Sequence, residues 1–491
     1  MKRRIIIGLI VLVFISTIFL PANIAAASTW QNGGNPVCID PIEQKNAVIC
    51  SDGQGGAIIA WEDFRIDGSG DVYAQRMSST GAPQWAADGV VICNAVSWQQ
   101  TLAICSDGVG GAILVWKDLR NGNADIYTQR VNSEGNSLWT SNGVPIVNLT
   151  GVQERPELCT DGASGAIIVW VDNRVTGSDI YAQRIKANGQ LNWTINGIPI
   201  CTKAGTQSYP KIINNGTDGA IMCWSDTNIY AQKVTAAGAS QWGANGTVIC
   251  NASNTQIAPE ICSDGAGGAI IVWPDDRVSW DIYAQRITSV GAMQWGANGS
   301  AICNADLSQL EPQICSVNSG GAIMAWRDYR SGGSNDIYAQ YVTQNGEMPW
   351  TSNGIAICNT PDDEQTGVRI CSDGADGVIM AWNDYRSDPN GDIYAQRVRS
   401  SGELLWQING TVVCDSLGYN TEHKLTNAGV GAAIITWHDD RNGQNDIYAL
   451  KIPMPSGGGG DPGLILLLLL IPIVGVAVGV LILYLRREQL E

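Results

Sequence analysis

Residues Gly111 to Asp118 read GAILVWKD, and this stretch returns along the chain with small changes. Its tryptophan falls at Trp61, Trp116, Trp170, Trp224, Trp273, Trp326, Trp382 and Trp437. The spacings are 55, 54, 54, 49, 53, 56 and 55 residues. Two residues after each tryptophan stands an aspartate: Asp63, Asp118, Asp172, Asp226, Asp275, Asp328, Asp384 and Asp439. A period of this size means one supersecondary unit used many times, which is how propellers and solenoids are written.

Working outward, each copy divides into four short segments. A run like Pro259-Glu260-Ile261-Cys262 precedes the turn Ser263-Asp264-Gly265; the apolar run ending in tryptophan follows. A polar loop then leads to a segment such as Asp281-Ile282-Tyr283-Ala284-Gln285-Arg286. A Gly-containing turn leads to the last segment, as in QWGANGTVIC from Gln241 to Cys250. β-branched content and alternation make all four strands, and the Asp-Gly pairs suit tight hairpin turns. Helical periodicity is absent between the two ends of the chain.

The ends of the repeat region separate a closed ring from an open stack. The last copy stops after its third segment, at Ile447 to Ile452. A fourth segment without its blade, TWQNGGNPVC, stands at Thr29 to Cys38. Trp30 precedes Trp61 by 31 residues, the interval that separates Trp85 from Trp116 and Trp139 from Trp170. A ring whose last blade is completed by the N-terminal strand explains this, and closure hides the edges that an open stack exposes. The expected fold is therefore all-β: an eight-bladed β-propeller of four-stranded antiparallel blades over 29–452, closed by the N-terminal strand.

Outside the repeats, Lys2, Arg3 and Arg4 precede an uncharged apolar stretch and the small residues Ala25-Ala26-Ala27, which reads as a signal peptide over 1–27. An uncleaved anchor is the alternative. Pro453 to Gly463 is a Pro/Gly-rich linker. Leu464 to Leu485 is long enough to cross a bilayer as a transmembrane helix, and Arg486 and Arg487 put the tail at 486–491 in the cytoplasm. The propeller is then expected outside the cell membrane, in a single-pass protein. The C-terminal order also resembles the sorting signals of some prokaryotic surface proteins. A formal net charge of −17 argues against nucleic acid as a partner.

The pattern W-x-D-x-R followed by D-I-Y-A-Q-R-V resembles the repeats of secreted prokaryotic β-propeller surface proteins, over nearly all of Thr29 to Ile452. The Ser-Asp-Gly-x-Gly-Gly turn is faintly similar to the Asp-box of sialidase-like propellers, with a longer spacing to the aromatic residue.

A residue that every blade carries is needed by every blade, so recurrence points to architecture. Sixteen of the 18 tryptophans recur, eight in the second segment and eight in the fourth, and are expected between blades. Arg65, Arg120, Arg174, Arg277, Arg330, Arg386 and Arg441 each sit between two aspartates. The fourth copy loses both the arginine and the second aspartate, leaving Thr227-Asn228, which suits an Arg–Asp brace. A calcium site is the competing reading, opposed by a guanidinium among the carboxylates. Cysteines recur as Cys38/Cys50, Cys93/Cys105, Cys250/Cys262, Cys303/Cys315 and Cys358/Cys371, yet Cys159, Cys201 and Cys414 lack partners at that spacing. Buried thiols and bridges both remain open. Seven Asn-x-Ser/Thr sequons begin at Asn148, Asn192, Asn215, Asn245, Asn251, Asn298 and Asn409.

Little chemistry is written in the chain. Its two histidines, His423 and His438, fall in the last blade, and a simple hairpin count puts them diagonally adjacent on one face. No nucleophile motif, phosphate loop or metal spacing accompanies them, so no catalytic residue, cofactor or metal is assigned. The expected function is a membrane-anchored binding or adhesion module for an extracellular glycan or protein ligand. A glycan-active hydrolase or lyase with a site at the ring centre is the alternative, and a structural envelope protein the third. Two tryptophans lie outside the repeat register, Trp98 and Trp280, both in segments of variable length on one face of the ring. They are the candidate ligand contacts.

Overall fold

The computed structural model describes residues 30–452 apart from 67, 218, 388 and 417. It forms eight four-stranded sheets, each antiparallel throughout. The signal peptide, linker, transmembrane helix and tail expected at 1–27, 453–463, 464–485 and 486–491 lie outside the described residues. Among the described residues no helix is long and apolar enough to cross a membrane.

In blade 1 the strands run from the axis outward as Gln44–Ser51, Ala57–Asp63, Asp71–Met77 and Val90–Cys93. These positions are strands a to d, and the blades are counted from here. Strand b is buried along its whole length because neighbouring blades cover both of its faces, hence an apolar run in place of alternation. The expected fourth strand is shorter than its segment. Only the last four residues pair as strand d, while Trp85 sits before an intervening turn.

Blade 8 closes the ring as expected. Its inner strands are Asn420–Asn427, Ala433–Asp439 and Asp446–Ile452, and its outer strand is Asn35–Cys38. Asn35 pairs with Ala449 and Cys38 with Ile447. The a strands of successive blades touch all the way round, including blade 8 against blade 1.

One carboxylate organises each interface between blades. In blade 2 the fully buried Trp116 donates its indole N–H to Asp118 at 2.8 Å. Arg120 donates Nε to the same carboxylate at 2.8 Å, and its guanidinium lies 4.0 Å over the Tyr127 ring. Gly143 at φ +90° lies over the Trp116 ring, where a Cβ would come within 2.7 Å. The Asn-Gly turn is therefore fixed both by its backbone and by the ring beneath it.

The brace differs in one respect from the sequence expectation. The arginine pairs with the first aspartate alone, while the second is held otherwise. Asp125 accepts from Asn121, Asn123 and the Leu149 amide, and burial pushes its carboxyl pKa up. In blade 4 a lysine from outside the motif supplies the cation. Lys203, on the connection from blade 3, reaches Asp226 at 3.1 Å and lies 4.7 Å over Tyr230. Asp226 has turned toward it, and the Trp224 indole N–H is left without a partner.

A second brace holds the a–b turns. Asp107 accepts from the amides of Val109 and Gly111 and pairs with Arg130 at 2.8 Å. The same pair recurs as Asp52–Arg76, Asp161–Arg184, Asp264–Arg286 and Asp373–Arg397. Where the aspartate is replaced, the arginine is too: Asn215 with Lys233, Val317 with Tyr341, and Ala428 with Lys451.

All fourteen cysteines are free thiols. Six of the seven on strand d point at the arginine of the following blade: Cys38, Cys93, Cys250, Cys303, Cys358 and Cys414 lie 2.8–3.4 Å from an Nη2, while Cys201 precedes blade 4, which lacks that arginine. Those on strand a point into another interface, so the two members of each Cys-x11-Cys pair serve different contacts. Burial pushes the thiols of Cys38, Cys93 and Cys303 up to about 12. One sequon is also spoken for: Asn215 is buried, and its Oδ1 accepts from the amides of Thr217 and Gly219.

Candidate functional site: the central bore

Each a strand enters from the face that carries the b–c loops and the connections between blades, and the chain bulges within the first three residues of the strand or, in blade 5, two residues before it. The bulge residues are Asn46, Thr101, Arg155, Tyr209, Ala258, Glu311, Gly367 and Glu422, with φ between +43° and +65°. The ladder slips at the same place, as between Lys45 and Val48. Positive φ is costly for side chains such as threonine and tyrosine, so the surrounding ring must impose it. A bulge bends the strand and re-aims its side chains. Here it sets a rim around the bore.

The rim geometry recurs in every blade while its side chains span seven residue types, in contrast to the tryptophan found in every b strand. Arg155 lies 4.8 Å over the Tyr209 ring, and Glu311 pairs with Arg327 at 3.0 Å. Two residues further on, a second ring faces the bore: Val48, Ala103, Glu157, Lys211, Glu260, Gln313, Arg369 and Lys424. The cavity they enclose measures about 500 Å3.

That second ring is polarised. Lys211 is clamped between Glu157 at 3.0 Å and Glu260 at 3.2 Å, and the two carboxylates raise its ammonium pKa. Burial pushes the Glu260 carboxyl up, against the pull of Lys211. Across the bore, Arg369 donates to the Val368 carbonyl at 3.0 Å and, among the described residues, forms no ion pair. Lys424 beside it likewise has none. Burial, and next the Arg369 charge, bring the Lys424 ammonium down to about 8. Between these two groups of charges, blades 1 and 2 contribute only Val48 and Ala103.

The histidines do not form the pair expected from a simple hairpin count. The bulge shifts the register so that Thr421 faces His438 and Lys424 faces Thr436. His423 points at blade 7, with Nε2 3.0 Å from the Ala381 carbonyl and Nδ1 3.1 Å from Asn383. Burial holds it neutral down to about 3. His438 bonds Thr421 through Nε2 at 2.6 Å and feels Glu43 and Lys45 of blade 1. The two rings thus lie on opposite faces of blade 8.

Trp98 and Trp280 fall on the long-loop face, as expected, but far apart. Trp98, at the junction of blades 1 and 2, is 42 % exposed and packs edge-on against Phe64 at 5.7 Å. Trp280 is half-buried in the b–c loop of blade 5, its carbonyl accepting from the Gln309 amide at 2.6 Å. Almost four blades separate them, so no compact ligand touches both. Sequence reasoning passed over the bore and rim residues because they do not recur, which is the signal that could have found them.

No protein-family profile matches the chain, and no curated protein matches it in sequence. Solved structures that align include a protein of unknown function from Dyadobacter fermentans, at 10% identity, covering 87% of this chain and 98% of that one, with TM-score 0.36. A puromycin-hydrolyzing peptidase of Mycobacterium tuberculosis aligns at 11% identity, covering 84% and 61%, with TM-score 0.43. A Hadza microbial sialidase aligns at 11% identity, covering 78% and 74%, with TM-score 0.36. Likeness at that level bears on no functional assignment.

Proposed function

We propose that this chain is a cell-surface binding or adhesion module of the kind its repeats resemble, exported, anchored by its C-terminal segment, and recognising an extracellular glycan or protein ligand at the bore and its rim. The observation that supports this most is the rim itself: eight bulges of one geometry, seven of them strained, that carry seven residue types. Specificity resides where the scaffold repeats and the side chains do not. The rim opens on the long-loop face. The chain leaves blade 8 at the end of strand c, on the opposite face, so a membrane tether there presents the rim outward.

The test is a glycan and protein array probed with the detergent-solubilised full chain. Arg155→Ala with Tyr209→Ala should remove the hits while leaving the melting temperature within about 2 °C. Trp98→Ala and Trp280→Ala, made separately, ask whether the outer loops add contacts; only an extended ligand would lose affinity with both. An array without hits for the parent protein would count against the binding reading.

A further inference from the structure

We propose that the bore holds a carboxylate-bearing sugar residue, its carboxylate between Arg369 and Lys424. The proposal rests on the binding reading above and names what that site recognises. Arg155, Lys211, Arg369 and Lys424 line the cavity against two carboxylates, Glu157 and Glu260. This is an excess of positive charge at the axis of a chain whose formal net charge is −17. Lys211 is already neutralised by its two partners. Arg155 is stacked over the Tyr209 ring, so the excess open to a ligand sits on Arg369 and Lys424, adjacent on blades 7 and 8 and without ion pairs among the described residues. Two like charges held together away from bulk water are unfavourable unless an anion joins them. A guanidinium beside an ammonium suits a carboxylate, which the planar fork can grip through two oxygens.

The rest of the wall selects what the carboxylate belongs to. Glu157, Glu260 and Gln313 face Arg369 and Lys424 across the bore and offer acceptors for hydroxyl groups. Val48 and Ala103 give a small apolar flank against which the C–H face of a sugar ring can lie. A cavity of about 500 Å3 takes one or two sugar rings. An acidic sugar has a carboxylate, hydroxyls and an apolar face, and the bore offers a counterpart to each.

The groups that face Lys424 are Arg369 on the a strand of blade 7, Glu422 on its own strand, and Lys211 and Glu157 across the bore. With its ammonium at about 8, Lys424 is charged at neutral pH and loses its charge in mild alkali. Carboxylate affinity should therefore fall between pH 7 and pH 9.

The experiment is calorimetric titration of the detergent-solubilised full chain with D-glucuronate, D-glucose and glucose 6-sulfate. Glucuronate should bind at least tenfold more tightly than glucose and more tightly than the sulfate ester. Arg369→Gln and Lys424→Gln should each weaken glucuronate at least tenfold without lowering the melting temperature. In Lys424→Arg the loss between pH 7 and pH 9 should disappear. Equal binding of glucuronate and glucose, or unchanged binding in both glutamine variants, overturns the proposal; a preference for the sulfate ester overturns the carboxylate assignment. If array hits persist and depend on the rim while glucuronate fails, this inference alone has failed. If the array is silent too, the binding reading has failed with it.

Discussion

Between the blades one set of contacts is made again and again; around the bore one backbone is built again and again and filled differently. Trp116, Asp118, Arg120 and Tyr127 have counterparts almost everywhere, and blade 4 restores the missing cation from a different part of the chain, through Lys203. The bore shows the reverse, with Arg369 and Lys424 left without ion pairs among the described residues and an eightfold rim of positive φ. The difference separates what the ring needs to exist from what it can vary. Substitutions between blades should therefore cost stability, and substitutions in the bore should cost binding.

The largest expected effect tests the frame at its seam. Deleting residues 29–38 leaves the outer edge of strand c of blade 8 unpaired and uncovers Trp437, so the cooperative melting transition of the ring should be lost. Cutting the chain at Gly457 to Gly460 should leave it intact. Calorimetry on the two proteins makes the comparison, and similar transitions would refute closure as the source of stability.

Next comes a contrast inside the frame. Asp118→Ala leaves the Arg120 guanidinium without its counter-ion and the buried Trp116 N–H without an acceptor, and should cost about 3 kcal/mol. Asp226→Ala in blade 4 loses a partner to the half-exposed Lys203 and should cost about 1 kcal/mol. Equal costs, measured by denaturant unfolding, would mean that blade 4 is braced as strongly as the others.

A third prediction uses pH. His423 is neutral in the fold down to about 3 and takes up a proton near its ordinary pKa of 6.5 when unfolded. The unfolded chain thus binds more protons between those values, and this residue's contribution to stability falls as the pH falls. Relative to His423→Gln, the parent protein should lose about 2–3 kcal/mol between pH 6.5 and pH 4.5. Parallel stability curves would place His423 outside the interface between blades 7 and 8.

The smallest effect is expected at the thiols. The burial of eleven of them, with Cys105, Cys315 and Cys371 half-buried, and the raised pKa values of all predict no reaction with iodoacetamide in the native protein and complete reaction after unfolding, read by mass spectrometry. Non-reducing digests should contain no Cys-x11-Cys bridge.

The frame was largely legible in the sequence because it repeats: tryptophan spacing gives eight blades, and the stray segment at Trp30 gives the closure. What escaped has physical reasons. The a-strand bulge leaves no compositional mark, since Asn46, Thr101 and Glu422 are not residues that announce positive φ together, and missing it displaced His423 and His438 from their true faces. Lys203 was hidden because its partner Asp226 is distant in sequence. The Asp107–Arg130 brace was readable from the three blades where both partners change, yet each half alone looks like an ordinary turn aspartate and an ordinary strand arginine. The bore residues went unread because a search for recurrence passes over positions that differ.

The pairing of Asn35 with Ala449 also fixes a sequence in time. The strand synthesised first is the last to find its place, because its partner emerges only when every other blade has been made. Bringing those ends together carries a loop-closure entropy of roughly 5 kcal/mol beyond a constant, less whatever the seven complete blades have already paid down by curving toward closure. Until then Asn35–Cys38 and the far side of Asp446–Ile452 are both open edges, able to pair with the equivalent strands of another copy. The ring should thus have one slow, concentration-sensitive step in its assembly, at the blade 8 seam, with strand exchange between neighbouring chains as its characteristic failure.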